Sequence, residues 1–223
     1  MARFSRIKVL SEMLETGLIP VFYNKDIKIC KEVVKSCYDG GIRVFEFANR
    51  GDFAHKVFAE LIQYAERELP ELILGIGSVM DGKVSALYIQ NAANFIVSPV
   101  LNTEMAKVCN RRKIAWIPGC GTLSEISTAE ELGAEIVKIF PAGQIGGPGF
   151  IKAVKAPCPW TSLMPTGGVD ISEDNIKSWF NAGASCIGIG SKLITNEIVA
   201  NGDYDKLTNI VSDTLKIIKN LKK

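Results

Sequence analysis

Ser162–Ser191 reads SLMPTGGVDISEDNIKSWFNAGASCIGIGS. Its two apolar runs, Ser162–Gly168 and Cys186–Ser191, each contain a glycine turn. Between them Ser172 stands ahead of Glu173 and Asp174, a helix N-cap followed by an acidic first turn, and Ile176, Trp179 and Phe180 recur at helical spacing. The segment is therefore read as strand, helix, strand. A helix crossing between two strands of one sheet implies that the strands run parallel.

The same unit recurs toward the N-terminus. Further short apolar runs lie at Ile19–Tyr23, Val44–Ala48, Leu72–Gly77, Phe95–Pro99, Ala115–Gly119 and Ile136–Pro141, which makes eight candidate strands. Amphipathic stretches separate them. After Asp26 come Ile29, Cys30, Val33, Val34 and Cys37; after Asp52 come Phe53, Val57, Phe58, Leu61, Ile62 and Ala65. Thr122 and Glu125 have the spacing of a capping box. Leu207, Ile210, Val211, Leu215, Ile218 and Leu221 mark a last helix, and Ser5 followed by Ile7, Leu10 and Leu14 marks an extra one ahead of the first strand. Strands this apolar need cover on both faces, which a parallel sheet wrapped by helices provides. Residues 1–223 are thus expected to form a single α/β domain, a compact (β/α)8 TIM barrel with an added N-terminal helix. A doubly wound open sheet would place a glycine-rich turn after an early strand. Here the first strand runs into Tyr23-Asn24-Lys25-Asp26, and the richest glycine turns follow the seventh and eighth strands, where barrels commonly bind phosphate.

Composition excludes several classes of function. The formal charge is +2, and the clusters Arg111-Arg112-Lys113 and the C-terminal lysines lack interleaved aromatics, so they read as solvated helix ends rather than a nucleic-acid face. No apolar run approaches the ~18 residues that a membrane span needs, and the N-terminal MARFSRIKVLSEMLETG mixes charges into its apolar positions, unlike a signal peptide. Cys30, Cys37, Cys109, Cys120, Cys158 and Cys186 are widely spaced without a C-x-x-C pair, as expected of reduced thiols in a cytoplasmic protein. The single histidine, His55, has no partner at metal-ligand spacing, so neither a metal nor a cofactor is expected.

In such a barrel the chemistry lies at the C-terminal ends of the strands. Ile136, Lys138 and Phe140 share one face of the sixth strand, while the β-branched Val137 and Ile139 suit packing against helices. Lys138 then faces the interior, where lost hydration favours a neutral, nucleophilic amine. Spacing alone leaves a second reading open, a lysine that snorkels to water from the strand end. Val44, Glu46 and Ala48 share a face of the second strand, with Arg50 continuing the row past its end. A glutamate there can move protons and a guanidinium can bind a carboxylate; a Glu46–Arg50 ion pair is the plainer alternative. Thr166-Gly167-Gly168 and Gly188-Ile189-Gly190-Ser191, on adjacent strands, allow close backbone approach to an anion, with Gln144–Gly147 as a further edge. Ser78 is either a donor to a substrate carboxylate or a helix cap.

These residues resemble a known family, the class I 2-keto-3-deoxy-6-phosphogluconate and 4-hydroxy-2-oxoglutarate aldolases. GIRVFEFANR (Gly41–Arg50) is similar to the family's glutamate segment and GAEIVKIFPA (Gly133–Ala142) to its Schiff-base lysine segment; LILGIGSV, FIVSP, WIPGCGTLSE, PTGGV and IGIGSKL follow in the family's order. The resemblance implies that Lys138 forms an imine with the keto carbon, that Glu46 is general acid and base, and that Arg50 and Ser78 hold the carboxylate of a small-molecule 2-keto acid. It implies further substrate contacts from Pro99, Thr166, Gly167, Gly168, Gly190 and Ser191, the glycines and Ser191 taking a phosphate, and a homotrimeric assembly. The chain departs from the family at Ala48-Asn49-Arg50-Gly51, where Thr-Leu commonly precedes the arginine and Thr follows it, at Cys120-Gly121-Thr122, and at Ile139. These changes bear on substrate preference more than on reaction type. Two rivals share the scaffold: a phosphosugar isomerase or epimerase using Glu46 as base, and a non-catalytic phosphosugar-binding protein.

Overall fold

The computed structural model describes residues 2–222. Its strands are β1 (Leu18–Phe22), β2 (Val44–Ala48), β3 (Ile73–Gly77), β4 (Phe95–Val97), β5 (Ala115–Ile117), β6 (Gly119–Cys120), β7 (Val137–Ile139), β8 (Leu163–Pro165) and β9 (Ile187–Ile189). The helices are α1 (Arg6–Thr16), α2 (Ile27–Asp39), α3 (Ala54–Glu68), α4 (Gly82–Gln90), α5 (Thr103–Arg112), α6 (Leu123–Glu131), α7 (Gly147–Lys155), α8 (Glu173–Asn181), α9 (Asn196–Asn201) and α10 (Tyr204–Leu221). Every strand pair is parallel. The strands form two curled sheets, β5-β4-β3-β2-β1-β9 and β6-β7-β8.

One expected strand is divided. Residues 115–120 pair with β4 through Val97 and Ile117, then with β7 through Gly119 and Lys138. Pro118 sits at the changeover; it has no N–H to donate, and its carbonyl accepts from the Lys138 N–H at 2.9 Å. At the other boundary Thr166 and Gly188 form a single parallel bridge between the ends of β8 and β9. The apolar runs beyond the third or fourth residue of most strands turn out to be the loops that carry polar groups.

Alternation decides which way each side chain faces. Ile19, Val44, Ile73, Phe95, Val97, Ala115, Ile117, Ile136, Met164 and Cys186 gather in one buried interior cluster. Phe45, Phe47, Leu74, Ile76, Val137, Ile139, Leu163, Ile187 and Ile189 belong to the outer core, which includes the inward stripes of the helices. The interior cluster is completed by Val9, Leu10 and Met13 of α1. Ser5 caps α1, its hydroxyl accepting from the Lys8 N–H at 3.3 Å. The stripe expected from Ile7, Leu10 and Leu14 is not the one buried: Ile7 is 77% exposed, and only Leu10 is shared. Two apolar stripes overlap on this helix, and contact with the strand ends selects between them.

Capping follows the sequence in most places. Thr122 accepts from the Glu125 N–H at 3.2 Å, and the Glu125 carboxylate takes the Gly121 N–H at 2.9 Å. Asp52 does not cap α3. Its N-cap is Phe53, held at φ 61° with no side-chain capping bond.

Candidate active site

Lys138 leaves the middle of β7 on the same face as Ile136, with Gly119 and Met164 beside it in the neighbouring strands. Its side chain is 6% exposed, which rules out the reading in which it escapes to water. The ammonium nitrogen lies 5.3 Å from the centroid of the Phe140 ring. Glu46 projects from β2, where Val21 and Gly75 are its strand neighbours. Its Oε1 stands 3.7 Å from Lys138 Nζ. Glu46 therefore pairs with the lysine of the other sheet. The contact is close enough for ion pairing and too long for a hydrogen bond. Glu46 Oε2 and Thr166 Oγ1 are both buried without a hydrogen-bond partner among the described residues. A buried carboxylate oxygen without a partner, on the group that faces a buried amine, suits a polar ligand.

Phe140, whose ring stands by Lys138 Nζ, also lines a cavity of ≈ 420 Å³, whose lining holds Arg50, Thr166, Gly167, Gly168, Gly190 and Ser191, together with Tyr23, Lys192 and Asn196, but neither Lys138 nor Glu46. Gly167 and Gly168 have φ of 86° and 83°, and a Cβ on Gly168 would lie 2.7 Å from the Gly143 Cα, so backbone occupies the space that a side chain needs. Among the described residues two cations, Arg50 and Lys192, line this cavity and no carboxylate does. An anion suits such a surface. The helix start after the first glycine turn does not serve it: α8 is capped by Ser172 and carries Glu173 and Asp174 in its first turn. Gln144–Gly147 lies outside the lining and leads into α7.

Ser78 and Pro99 do not line that cavity. Each adjoins a glycine that packs beside the pair. Ser78 follows Gly77, which abuts the Glu46 carboxylate, and has φ 58°. It is not the cap of α4, a role taken by Asp81. Pro99 backs onto Gly119, where a Cβ would meet its carbonyl carbon at 2.4 Å, and Gly119 is the strand partner of Lys138. Tyr23, Lys192 and Asn196 escaped the sequence reading. Lys192 had a signal, a cation directly after a glycine turn; Asn196 had none.

One family model matches most of the chain. Its description is "Aldolase: KDPG and KHG aldolase", and it matches residues 9–210. The chain belongs to this aldolase family. It is 32% identical over 199 residues to the 2-dehydro-3-deoxy-phosphogluconate aldolase of Pseudoalteromonas atlantica, covering 89% of each chain. To the KHG/KDPG aldolase of Escherichia coli it is 31% identical over 206 residues, covering 92% of this chain and 93% of the relative. Among solved members of the family, the KDPG aldolase of Legionella pneumophila, with pyruvate captured as a covalent carbinolamine intermediate, superposes with a TM-score of 0.84 at 25% identity, covering 92% of this chain and 97% of that one. The chain's α/β fold of curled parallel sheets is that of the KDPG aldolase neighbours.

Proposed function

We propose that this chain is a class I aldolase that cleaves 2-keto-3-deoxy-6-phosphogluconate, or a related 2-keto acid such as 4-hydroxy-2-oxoglutarate, to pyruvate and an aldehyde. The observation that carries the reading is the buried contact of 3.7 Å between Lys138 Nζ and Glu46 Oε1 inside a member of this family. The two sheets are read as arcs of one closed (β/α)8 barrel in a single domain. Support comes from the run through Pro118, which joins β4 to β7, and from the Thr166–Gly188 bridge, which joins β8 to β9. The helix α1 then fills the N-terminal end of the barrel, leaving the C-terminal end to the substrate.

In this mechanism the neutral Lys138 amine adds to the keto carbon, and the carbinolamine takes a proton from the Glu46 carboxylic acid as it loses water, which gives a protonated imine and a Glu46 carboxylate. Glu46 takes the proton of the C4 hydroxyl, the C3–C4 bond breaks, and its electron pair moves toward the imine nitrogen as an enamine while the aldehyde departs. Glu46 returns the proton to C3, and water hydrolyses the imine to pyruvate and free lysine. The proton released in that hydrolysis returns to Glu46, which restores the starting state of both groups. Low dielectric around the pair strengthens each electrostatic contact in these steps. Arg50 and Ser78 are assigned to the carboxylate, with Pro99 against the pyruvyl half. Thr166 is placed facing the substrate; Gly167, Gly168, Gly190 and Ser191 are placed around a phosphate. The shared cavity of Arg50 with the glycine turns supports an anionic substrate.

A cytoplasmic location is supported by six free cysteines, five of them buried. No helix among the described residues is long and apolar enough to cross a membrane. Association of copies, read here as a homotrimer, is supported in so far as large apolar side chains, among them Met80, Leu87 and Val100, are left exposed. Sedimentation of the purified protein reads the assembly state.

Borohydride reduction in the presence of pyruvate tests the mechanism. A covalent mass increase is expected at Lys138. Active protein with an unlabelled Lys138 would remove the proposal, and turnover of a phosphosugar without pyruvate release would favour an isomerase or epimerase instead.

A further inference from the structure

The Glu46 carboxylate is seated by an absence on the neighbouring strand. Gly77, the last residue of β3, pairs in register with Ala48 of β2, and Gly75 pairs with Glu46. A Cβ built on Gly77 would lie 1.7 Å from Glu46 Oε1 and 2.4 Å from its Cδ. Cβ contacts essentially never fall under 3.0 Å, so the carboxylate and any side chain at 77 exclude one another. Backbone conformation is not the reason for glycine here, because Gly77 is not among the residues with positive φ. Space alone requires it, and the atom in that space is the oxygen 3.7 Å from Lys138 Nζ. Glu46 Oε2 has no hydrogen-bond partner among the described residues to hold it in place. Gly75 differs: a Cβ there would strike the Phe95 ring at 2.4 Å, a collision within the interior packing.

We propose that Gly77 is a positioning residue for the aldol reaction, its missing side chain forming the socket that seats Glu46 beside Lys138. The inference rests on the reading of Glu46 as the group that transfers the proton. A methyl group at 77 displaces the carboxylate from the socket. The amine of Lys138 stays free to form the imine, while proton transfer slows.

The test compares Gly77→Ala, Glu46→Gln, Glu46→Asp and the double variant Glu46→Asp/Gly77→Ala in the full chain. Gly77→Ala is expected to lose about 10- to 100-fold in kcat, within the range that positioned acid–base groups contribute, with KM little changed. It should keep pyruvate-dependent borohydride labelling of Lys138 and shift the limb of the pH–rate profile that reports Glu46. The double variant should turn over faster than Gly77→Ala, because the shorter acid leaves room for the methyl group. Parental kcat and pH profile in Gly77→Ala, or a double variant no faster than it, would overturn the inference. Where Gly77→Ala does not fold, Glu46→Ala/Gly77→Ala is expected to fold, since it removes the colliding carboxylate; failure of that variant to fold overturns the socket. Normal turnover of Glu46→Gln would remove the underlying reading of Glu46. An inactive Glu46→Gln with an unaffected Gly77→Ala would remove this inference alone.

Discussion

The Tyr88 hydroxyl donates a 2.7 Å hydrogen bond to Asn49 Oδ1, tying α4 to the end of β2. Asn49 also donates its backbone N–H to the Gly77 carbonyl at 2.8 Å. Asn49 is thus held at two points directly before Arg50. Tyr88 is buried in a row of rings that runs through Phe58 and Phe47 to Tyr23. Burial, aided by Tyr23, pushes its hydroxyl up to about 12, so it stays a donor throughout the neutral range.

Tyr88→Phe therefore removes the bond and nothing else of comparable size. The cost is expected at about 1–3 kcal/mol, the penalty for a partly buried acceptor left without its donor. A rise in KM should accompany it, because the arginine loop loses an anchor. Thermal melting and steady-state kinetics check both; an unchanged KM would separate Asn49 from the placement of Arg50.

Lys138→Met should abolish pyruvate release, by roughly 10⁴-fold or more, the scale on which loss of a nucleophile acts. It also strands the Glu46 carboxylate, which costs roughly 3–5 kcal/mol when a buried pair loses one member. Lys138→Met/Glu46→Gln should recover most of that stability while remaining inactive. Chemical denaturation of the two variants measures the difference, and near-normal turnover in either would contradict the mechanism.

Lys192→Met is expected to reduce kcat/KM for a phosphorylated keto acid by roughly tenfold or more, the worth of one charge-assisted contact. The unphosphorylated analogue should be nearly unaffected. Equal losses on the two substrates would move the phosphate away from the cavity that Lys192 lines. Raising ionic strength should narrow the gap between the parent and the variant.

The buried thiols set an alkaline limit. Burial pushes Cys30, Cys109 and Cys120 from an ordinary 9.0 up to about 12. Between those values the unfolded chain has released protons that the folded chain still holds, so stability is complete below pH 9.0 and falls as pH rises toward about 12. Each thiol contributes at most about 1.4 kcal/mol per pH unit in that window. Urea titrations from pH 8 upward should trace the loss. At neutral pH, alkylation of the folded protein should reach Cys158, the one half-buried cysteine, well before the others.

Met13→Ala should cost about 2–5 kcal/mol, as expected for a cavity left among interior side chains. The expectation follows from Met13 being fully buried with Val9 and Leu10 against the strand ends. A melting temperature equal to that of the parent would mean that α1 is dispensable.

The sequence by itself determined the alternation of strand and helix, the face on which Lys138 lies, and the two glycine turns. These are local properties: side-chain direction alternates along a strand whatever surrounds it, and a glycine is glycine in any context. It also carried the resemblance of the Glu46 and Lys138 segments to an aldolase family. Periodicity says which way a residue points and is silent on what stands opposite. Only the tertiary structure brought Glu46 of one sheet to 3.7 Å from Lys138 of the other. It also selected Val9, Leu10 and Met13 over Ile7 on α1, and it gathered Tyr23, Lys192 and Asn196 into the anion-suited cavity. Each of those outcomes depends on the curvature summed over many strands, a quantity that no short stretch of chain contains.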